Sequence, residues 1–228
     1  MKSSYTFEEN PEYHVWDDGN YEQIDSASYF KQGWMGRFLE SGDRVLDIGC
    51  GPGYNVKVLR DNGVETLGVD LNAALVRRAK EAGLNVVEQD AVCAIKEHGR
   101  NFDVFVMSDF IEHIPLAVAH EIFREIAGLP NKRVFFSTPN LDSLMGFKFW
   151  FHMPTHVNAM HPCVIRKMLQ SLGYTLEEEW TEYGNLPGTG WKLGLRKWLL
   201  EKLVGPTQAR LFYGGANVCY FVRSCSGR

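Results

Sequence analysis

The chain has 228 residues, of which 45% are hydrophobic and 23% are charged, and this suits one sizeable α/β domain. Its formal net charge of −4 argues against a nucleic-acid partner, since a phosphate backbone is bound by a broad basic surface. The five cysteines include no C-x-x-C pair, which argues against a zinc knuckle or a disulfide framework and favours reduced thiols in a cytoplasmic protein.

Predicted strands and helices alternate from the amino end of the chain. A polar, aromatic arm over 1–20 precedes a helix predicted over 21–40. The strands that follow are predicted over 44–48, 66–69, 84–87, 102–107 and 133–136, with helices over 54–61, 72–82 and 115–129. Because strands joined by helical crossovers lie parallel, this alternation predicts a mostly parallel sheet.

The last third of the chain has a different character. Residues 141–160 are predicted to form a loop rich in aromatic residues and histidine, and a helix is predicted over 161–172. The remaining predicted elements are a strand over 174–180, an amphipathic helix over 191–204 and a final strand over 216–223. The first ten residues lack the apolar core of a secretory signal, and no apolar run approaches the roughly 20 residues of a membrane span.

A glycine-rich turn that contains Gly49, Gly51 and Gly53 follows the first predicted strand. A strand that ends in such a turn and opens a helix binds a nucleotide-like cofactor, because glycine lets the backbone approach the ligand closely. The dinucleotide pattern G-x-G-x-x-G/A fails at Tyr54, and a carboxylate at Asp47 would repel a pyrophosphate, so both count against NAD and FAD. Asp47 suits a cofactor with an amino group and a sulfonium, as in S-adenosylmethionine.

Carboxylates also follow the second and third predicted strands. Asp70 ends the second strand about 20 residues after the first carboxylate, where it can accept both hydroxyls of a ribose. Asp90 follows the third strand, where it can accept from an adenine amino group. The candidate cofactor-binding residues are Asp47, Gly49, Gly51, Gly53, Asp70, Leu71, Asp90, Ala91 and Ser108.

Four segments in this order resemble motifs of the class I S-adenosylmethionine-dependent methyltransferases. VLDIGCGPGY is similar to motif I, GVDLN to the acidic second motif, EQDA to the adenine-side motif, and FDVFVMSDFIEHIP to the fourth motif of the UbiG-like small-molecule branch. The resemblance covers about residues 40–140. It implies an α/β Rossmann-like fold: a seven-stranded, mostly parallel sheet with helices on both faces and an antiparallel last strand.

The same resemblance implies S-adenosylmethionine as the cofactor. The expected activity is methyl transfer to oxygen or nitrogen of a small-molecule, glycan or lipid-precursor acceptor by in-line displacement. No linker composition divides the chain, so we expect a single methyltransferase domain over 1–228. Residues 1–40 would supply an arm and helix able to act as a lid, and 141–215 would supply insertions on the acceptor side.

The residues after the fourth predicted strand are candidates for catalysis. UbiG-like quinone O-methyltransferases carry Glu-x-x-Glu-His here, a pattern that in that branch resembles a divalent-metal site. This sequence has Asp109, Glu112 and His113, and the shorter first side chain counts against a metal, so we assign no metal site. We take His113 as a candidate base for a protonated acceptor. The alternative is that Glu112 and His113 cap or brace the following helix.

Three histidines cluster here: His152 and His156 lie in the predicted loop, and His161 begins the predicted 161–172 helix. Pro154 and Pro162 oppose the continuous helix that a metal-binding histidine pair would need. His156 is the second catalytic candidate, facing the substrate. The alternatives are a loop histidine bonded to the backbone and a helix N-cap at His161.

The amphipathic 191–204 segment allows either a lid packed on the core or peripheral contact with a membrane or lipid-linked acceptor. The turn over 137–140 either lines the pocket or is a simple turn set by Pro139 and Asn140. The motif Asn/Asp/Ser-Pro-Pro-Tyr/Phe, which marks methyltransferases acting on amino groups of bases and glutamine, does not follow the fourth strand, and this argues further against a nucleic-acid substrate. An NAD(P)-linked oxidoreductase and a non-catalytic, methyltransferase-like cofactor-binding module remain as alternatives.

Overall fold

The structure is a computed structural model that describes residue 21, residues 24–182, residue 202 and residues 217–225. The arm predicted over 1–20, with its lid function, therefore lies outside the described residues. The same holds, apart from residue 202, for the amphipathic helix predicted over 191–204 and for its membrane contact. Within the described part of the chain, no helix has the length and apolar character needed to cross a membrane.

In the described residues, seven strands form one sheet in the order β3-β2-β1-β4-β5-β7-β6. Their bounds are β1 Arg44–Ile48, β2 Glu65–Asp70, β3 Val86–Glu88, β4 Val104–Ser108, β5 Arg133–Pro139, β6 Tyr174–Glu182 and β7 Asn217–Ser224. The first five pair in parallel, whereas β7 is antiparallel to both β5 and β6. The predicted seven-stranded sheet with an antiparallel last strand is confirmed.

Eight helices lie in the described part of the chain. They are α1 Ser26–Gln32, α2 Trp34–Phe38, α3 Tyr54–Asp61, α4 Ala73–Glu81, α5 Ala91–His98, α6 Leu116–Ala127, α7 Leu144–His152 and α8 Pro162–Ser171. A 3₁₀ turn at Ile111–His113 separates β4 from α6.

The central strands are buried on both faces of the sheet. In β4, Phe105 and Met107 pack in the core cluster that contains residues of α5, α6 and α8. Val104 and Val106 pack in the cluster that contains residues of α2 and α3. Helices on both faces explain why this strand is a continuous apolar run rather than an alternating one.

Three local predictions were wrong. The 21–40 helix is broken at Gly33, whose extended backbone (ψ −173°) separates α1 from α2. The region predicted as a loop over 141–160 contains α7, which Ser143 caps by accepting from the backbone N–H of Gly146. Helix α5, capped by Asp90, was not predicted. Both missed helices are short and lack the long amphipathic repeat on which the prediction depended.

Candidate active site

The glycine turn leaves the carboxyl end of β1, where it is held by β2. The backbone N–H groups of Gly49 and Cys50 both donate to the carbonyl of Val69, at 2.8 and 3.0 Å. Gly49, Gly51 and Gly53 have φ of 69°, 54° and 84°, which an L side chain rarely adopts. A Cβ at Gly51 would meet no atom within 4 Å, so this side of the turn is open to a ligand.

Asp47 lies beneath this turn and is only 1% exposed. Its Oδ2 has no hydrogen-bond partner in the described part of the chain. Burial raises the pKa of Asp47 to about 7; a hydrogen bond from Asn55 opposes the shift and the nearby Asp70 adds to it. A buried carboxylate with an open acceptor position suits a cationic ligand group.

Asn55, at the start of α3, connects two of the predicted cofactor residues. Its side chain hydrogen-bonds Asp47, and its Nδ2 donates to the hydroxyl of Ser108 at 3.1 Å. Ser108 ends β4 and Asp47 belongs to β1, so Asn55 connects the carboxyl ends of these two neighbouring strands. Asn55 was not among the predicted site residues, because an asparagine inside a helix carries no signal before the sheet order is known.

Asp70 is fixed between the glycine turn and helix α4. Its Oδ2 accepts from the backbone N–H of Gly51 and its Oδ1 from that of Asn72, both at 2.8 Å. A carboxylate oxygen has two lone pairs, so each retains capacity for a hydroxyl donor. The predicted position of Asp70 at the end of β2 is therefore compatible with ribose binding.

The remaining predicted cofactor residues lie along the edge formed by β2 and β3. Leu71 is 64% exposed, unusually so for an apolar side chain beside a buried strand. Asp90 caps α5, with Oδ1 accepting from the N–H of Cys93 at 3.0 Å, and Ala91 begins that helix as a buried residue. Asp90 thus has a helix-capping role that its sequence position did not reveal.

Asp109 is bound to residues of two neighbouring strands. Its backbone has a positive φ of 48°, and its Oδ1 accepts from the Ser137 hydroxyl and the Asn217 side chain, both at 2.9 Å. These contacts tie it to the ends of β5 and β7. The 3₁₀ turn begins only at Ile111, so Asp109 and Glu112 do not share a helical face.

Glu112, His113 and His156 instead come together. One potential metal-ligating atom of each lies within 4.8 Å of those of the other two. Glu112 is 1% exposed, and its Oε2 has no hydrogen-bond partner in the described chain. Burial raises the pKa of Glu112 well above its usual range; the nearby Asp109 adds to the shift and a hydrogen bond with Thr138 opposes it.

Hydrogen bonds between the loop after α7 and the 3₁₀ turn hold His156 in this position. The backbone N–H groups of Val157 and Asn158 both donate to the carbonyl of Glu112, at 2.9 and 3.0 Å. The Asn158 side chain donates to the carbonyl of Ile111 at 3.1 Å. The His113 and His156 rings are consequently 4.7 Å apart between centroids and inclined by 69°.

Both imidazoles are neutral at neutral pH. Burial, with the neighbouring His156, lowers the pKa of His113 to about 4, while a hydrogen bond to the backbone of Thr155 opposes the shift. Burial also lowers the pKa of His156, against a hydrogen bond to the Trp150 backbone. A neutral imidazole can accept a proton or ligate a metal ion.

The structure also distinguishes between the helix-capping and site-lining roles predicted for the neighbouring residues. His161 is the N-cap of α8, accepting from the N–H of Cys163, and its Nε2 lies 2.5 Å from Asp142, so the N-cap interpretation is confirmed. The first turn of α6 has no side-chain cap, since its N-cap is Pro115, so Glu112 and His113 do not cap that helix. Ser137 bonds Asp109, and Thr138 bonds Glu112, so this strand end supports the site.

A family model described as a methyltransferase domain matches residues 27–179. The chain belongs to this methyltransferase family. The motifs at the ends of β1, β2, β3 and β4 are those of its class I branch, as the sequence resemblance implied.

Curated relatives match this methyltransferase over about half of its length. A ubiquinone biosynthesis O-methyltransferase from Coxiella burnetii is 29% identical over 154 residues, covering 59% of this chain and 64% of the relative. The protein of the same name from Klebsiella pneumoniae is 32% identical over 107 residues, covering 43% of each chain. The chain therefore spans less than two thirds of the length of the curated relatives it matches.

Solved structures share the fold over more of the chain. A SAM-dependent methyltransferase from Archaeoglobus fulgidus is 24% identical, with a TM-score of 0.66 over 87% of this chain and 92% of that one. Magnesium protoporphyrin IX methyltransferase from Synechocystis, solved with bound SAH, is 17% identical, with a TM-score of 0.53 over 81% of this chain and 74% of that one. At these identities the likeness concerns the fold of the methyltransferase.

Proposed function

We propose that the protein transfers a methyl group from S-adenosylmethionine to a hydroxyl oxygen of a small-molecule acceptor. The observation that carries the proposal is the buried Asp47, whose Oδ2 has no partner among the described residues and which precedes a glycine turn that is open at Gly51. This site offers a negative group to a cationic ligand and a backbone that a ligand can approach. A pyrophosphate would meet repulsion at the same place, which disfavours the NAD(P)-linked alternative.

The cofactor extends along the carboxyl edge of the sheet in this proposal. Asp47 receives its amino group, and Asp70 accepts from the ribose hydroxyls. Leu71 and Ala91 contact the adenine ring, and Asp90 accepts from the adenine amino group while it caps α5. Ser108 completes the site from β4. The sulfonium supplies the reactivity, so these residues contribute positioning and exclusion of water.

His113 and His156 are the proposed catalytic residues on the acceptor side. A hydroxyl acceptor must lose its proton as the methyl group is transferred, and both imidazoles are neutral and able to assist. His113 lies in the turn that follows Ser108 at the end of β4, and His156 approaches it from the loop after α7. The names of the curated relatives support oxygen as the acceptor atom.

An apolar acceptor is supported by the surface of α7. Phe147, Phe149 and Phe151 are exposed on this helix, and Trp150 of the same helix packs against the ring of His156 at 5.1 Å. An aromatic surface that reaches the catalytic histidines suits a ring or a lipid-linked precursor better than a free sugar. The five cysteines form no disulfide within the described residues, which supports a reducing, cytoplasmic setting for the reaction.

Calorimetric titration with S-adenosylhomocysteine, with NADH in a parallel experiment, tests the cofactor. Micromolar binding of the first and none of the second is expected, and the reverse result would reject the proposal. Mass spectrometry after incubation with S-adenosylmethionine and a panel of phenols, sugars and amines then tests turnover. Binding without any methylated product would favour the non-catalytic module, and methylation only of amines would reject oxygen as the acceptor.

A further inference from the structure

The Glu112, His113 and His156 cluster contains the ligand set of an open metal site. We propose that these three side chains bind one divalent ion of the zinc type on the acceptor side of the cofactor turn. Two imidazoles and one carboxylate are the protein ligands of many catalytic zinc sites, which leave a further position for water or substrate. Imidazole favours zinc, cobalt, nickel or iron, whereas magnesium and calcium prefer an all-oxygen set.

The first support is the unsatisfied carboxylate of Glu112. Glu112 is 1% exposed, and its buried Oε2 has no hydrogen-bond partner among the described residues. An isolated buried carboxylate is costly unless a cation or donor compensates it. Thr138 bonds the same side chain and restrains it. The same carboxyl group lies together with the two imidazoles, where a bound cation would compensate it.

The second support is the orientation of the two imidazoles. His156 Nδ1 is 3.1 Å from the carbonyl oxygen of Trp150, which can only accept, so this nitrogen carries the proton. His113 likewise bonds the backbone of Thr155. A metal-ligating histidine generally donates one ring N–H to a carbonyl or carboxylate, which directs the lone pair of the other nitrogen at the ion. Both rings are fixed in this manner.

The third support is the exclusion of Asp109. The sequence pattern would make Asp109 the third ligand, but its Oδ1 accepts from Ser137 and Asn217. His156 arrives from a different segment, held by the bonds of Val157 and Asn158 to the Glu112 carbonyl. The ligand atoms lie within 4.8 Å of one another, somewhat wider than the roughly 3.4 Å between ligands around a zinc ion. A small contraction on binding is therefore expected.

The role of this ion rests on the proposed function, whereas its binding does not. A bound divalent cation lowers the pKa of an oxygen ligand and so promotes deprotonation of a hydroxyl. Glu112, His113 and His156 would hold it next to the acceptor, with Trp150 and Thr155 orienting the rings. The neutral histidines then act on the acceptor through the ion that they bind.

Cobalt(II) titration of the chelator-stripped protein tests the site by visible absorption, with zinc competition as confirmation. We expect one equivalent to bind and to give the d–d bands of a four- or five-coordinate ion. Glu112→Gln and His156→Gln should each weaken binding at least about tenfold. Asp109→Asn and the exposed His152→Gln are matched controls that should bind cobalt like the wild type.

S-adenosylhomocysteine titration of each variant distinguishes loss of the metal site from misfolding and from failure of the proposed function. Retained cofactor binding shows that a variant has folded, so a loss of cobalt binding can be assigned to the cluster. Absence of stoichiometric cobalt and zinc binding by the wild type would overturn the inference, as would full binding by His156→Gln. Cobalt binding without cofactor binding would reject the proposed function and leave the metal site standing.

Discussion

The backbone N–H of Val157 donates to the carbonyl of Glu112 at 2.9 Å and thereby ties the loop after α7 to the turn after β4. The contact joins two segments that are separated by the whole of α6, β5 and α7. His156 precedes Val157 directly, and His113 follows Glu112 directly. The proximity of the two histidines therefore depends on main-chain bonding rather than on their own side chains.

Asn158→Ala should loosen this arrangement. The buried Asn158 side chain donates to the Ile111 carbonyl at 3.1 Å, and its removal leaves that carbonyl without its partner. We expect a loss of about 1–3 kcal/mol in the free energy of unfolding, measured by urea titration. Methyl transfer should fall by a larger factor than S-adenosylhomocysteine binding, because the loop lies on the acceptor side.

Asn85→Ala is the matched control for this variant. Its side chain also donates to a backbone carbonyl, that of Thr66, at 2.8 Å, but it lies beside β2 and β3. Urea titration should detect a smaller cost at this exposed position, with no selective loss of methyl transfer. An equal loss of transfer in both variants would show that the Asn158 effect is general rather than local.

Asp47→Asn should weaken cofactor binding and stabilise the unliganded protein. The neutral amide avoids the cost of burying a charge, so the free energy of unfolding of the unliganded protein at pH 8 should rise. The lost charge should weaken S-adenosylhomocysteine binding by about 1.5–3 kcal/mol, the usual contribution of a hydrogen bond to a charged group. Urea titration and calorimetry measure the two effects. A stabilised variant with unchanged affinity would place the amino group of the cofactor elsewhere.

The cofactor half of the site could be predicted from sequence because its residues follow directly from strand ends. A residue at or near the carboxyl end of a buried parallel strand lies close to the carboxyl edge of the sheet, so the positions of Asp47 and Asp70 followed from the strand positions alone. The acceptor half could not be predicted in this manner. His156 lies near Glu112 because of backbone hydrogen bonds between distant segments, which residue spacing in the sequence does not indicate. Helix α7 carries aromatic side chains at exposed positions, where an amphipathic pattern would have polar residues.

Cofactor affinity should depend on pH through Asp47. Its pKa is about 7 in the unliganded fold, so the carboxyl is protonated below that pH and cannot pair with an ammonium group. S-adenosylhomocysteine binding should be constant above pH 7 and should weaken by up to about tenfold per unit below it. Calorimetry from pH 5.5 to 8.5 measures the profile. The Asp47→Asn variant should lack this dependence, and an identical slope in the variant would assign it to another group.

The same raised pKa has a consequence for stability. Between about pH 4 and 7 the folded state keeps the Asp47 proton that the unfolded chain has released. The contribution of protonated Asp47 to the free energy of unfolding is therefore complete below about pH 4 and is lost as the pH rises towards 7. Asp47→Asn should make urea unfolding less sensitive to pH across this window. A wild-type contribution that rises with pH, obtained as the difference from the variant, would reject the raised pKa.

Asp70→Ala should weaken S-adenosylhomocysteine binding by about 1–3 kcal/mol, because the ribose hydroxyls would lose a charged partner. The alanine also releases the backbone N–H groups of Gly51 and Asn72, so part of the loss would come from a less ordered glycine turn. Asp70→Asn separates the two contributions, since its single amide oxygen can replace only one of the two carboxylate acceptors. Calorimetry should rank affinity as wild type, then asparagine, then alanine. Equal affinity in all three proteins would exclude Asp70 from the cofactor site.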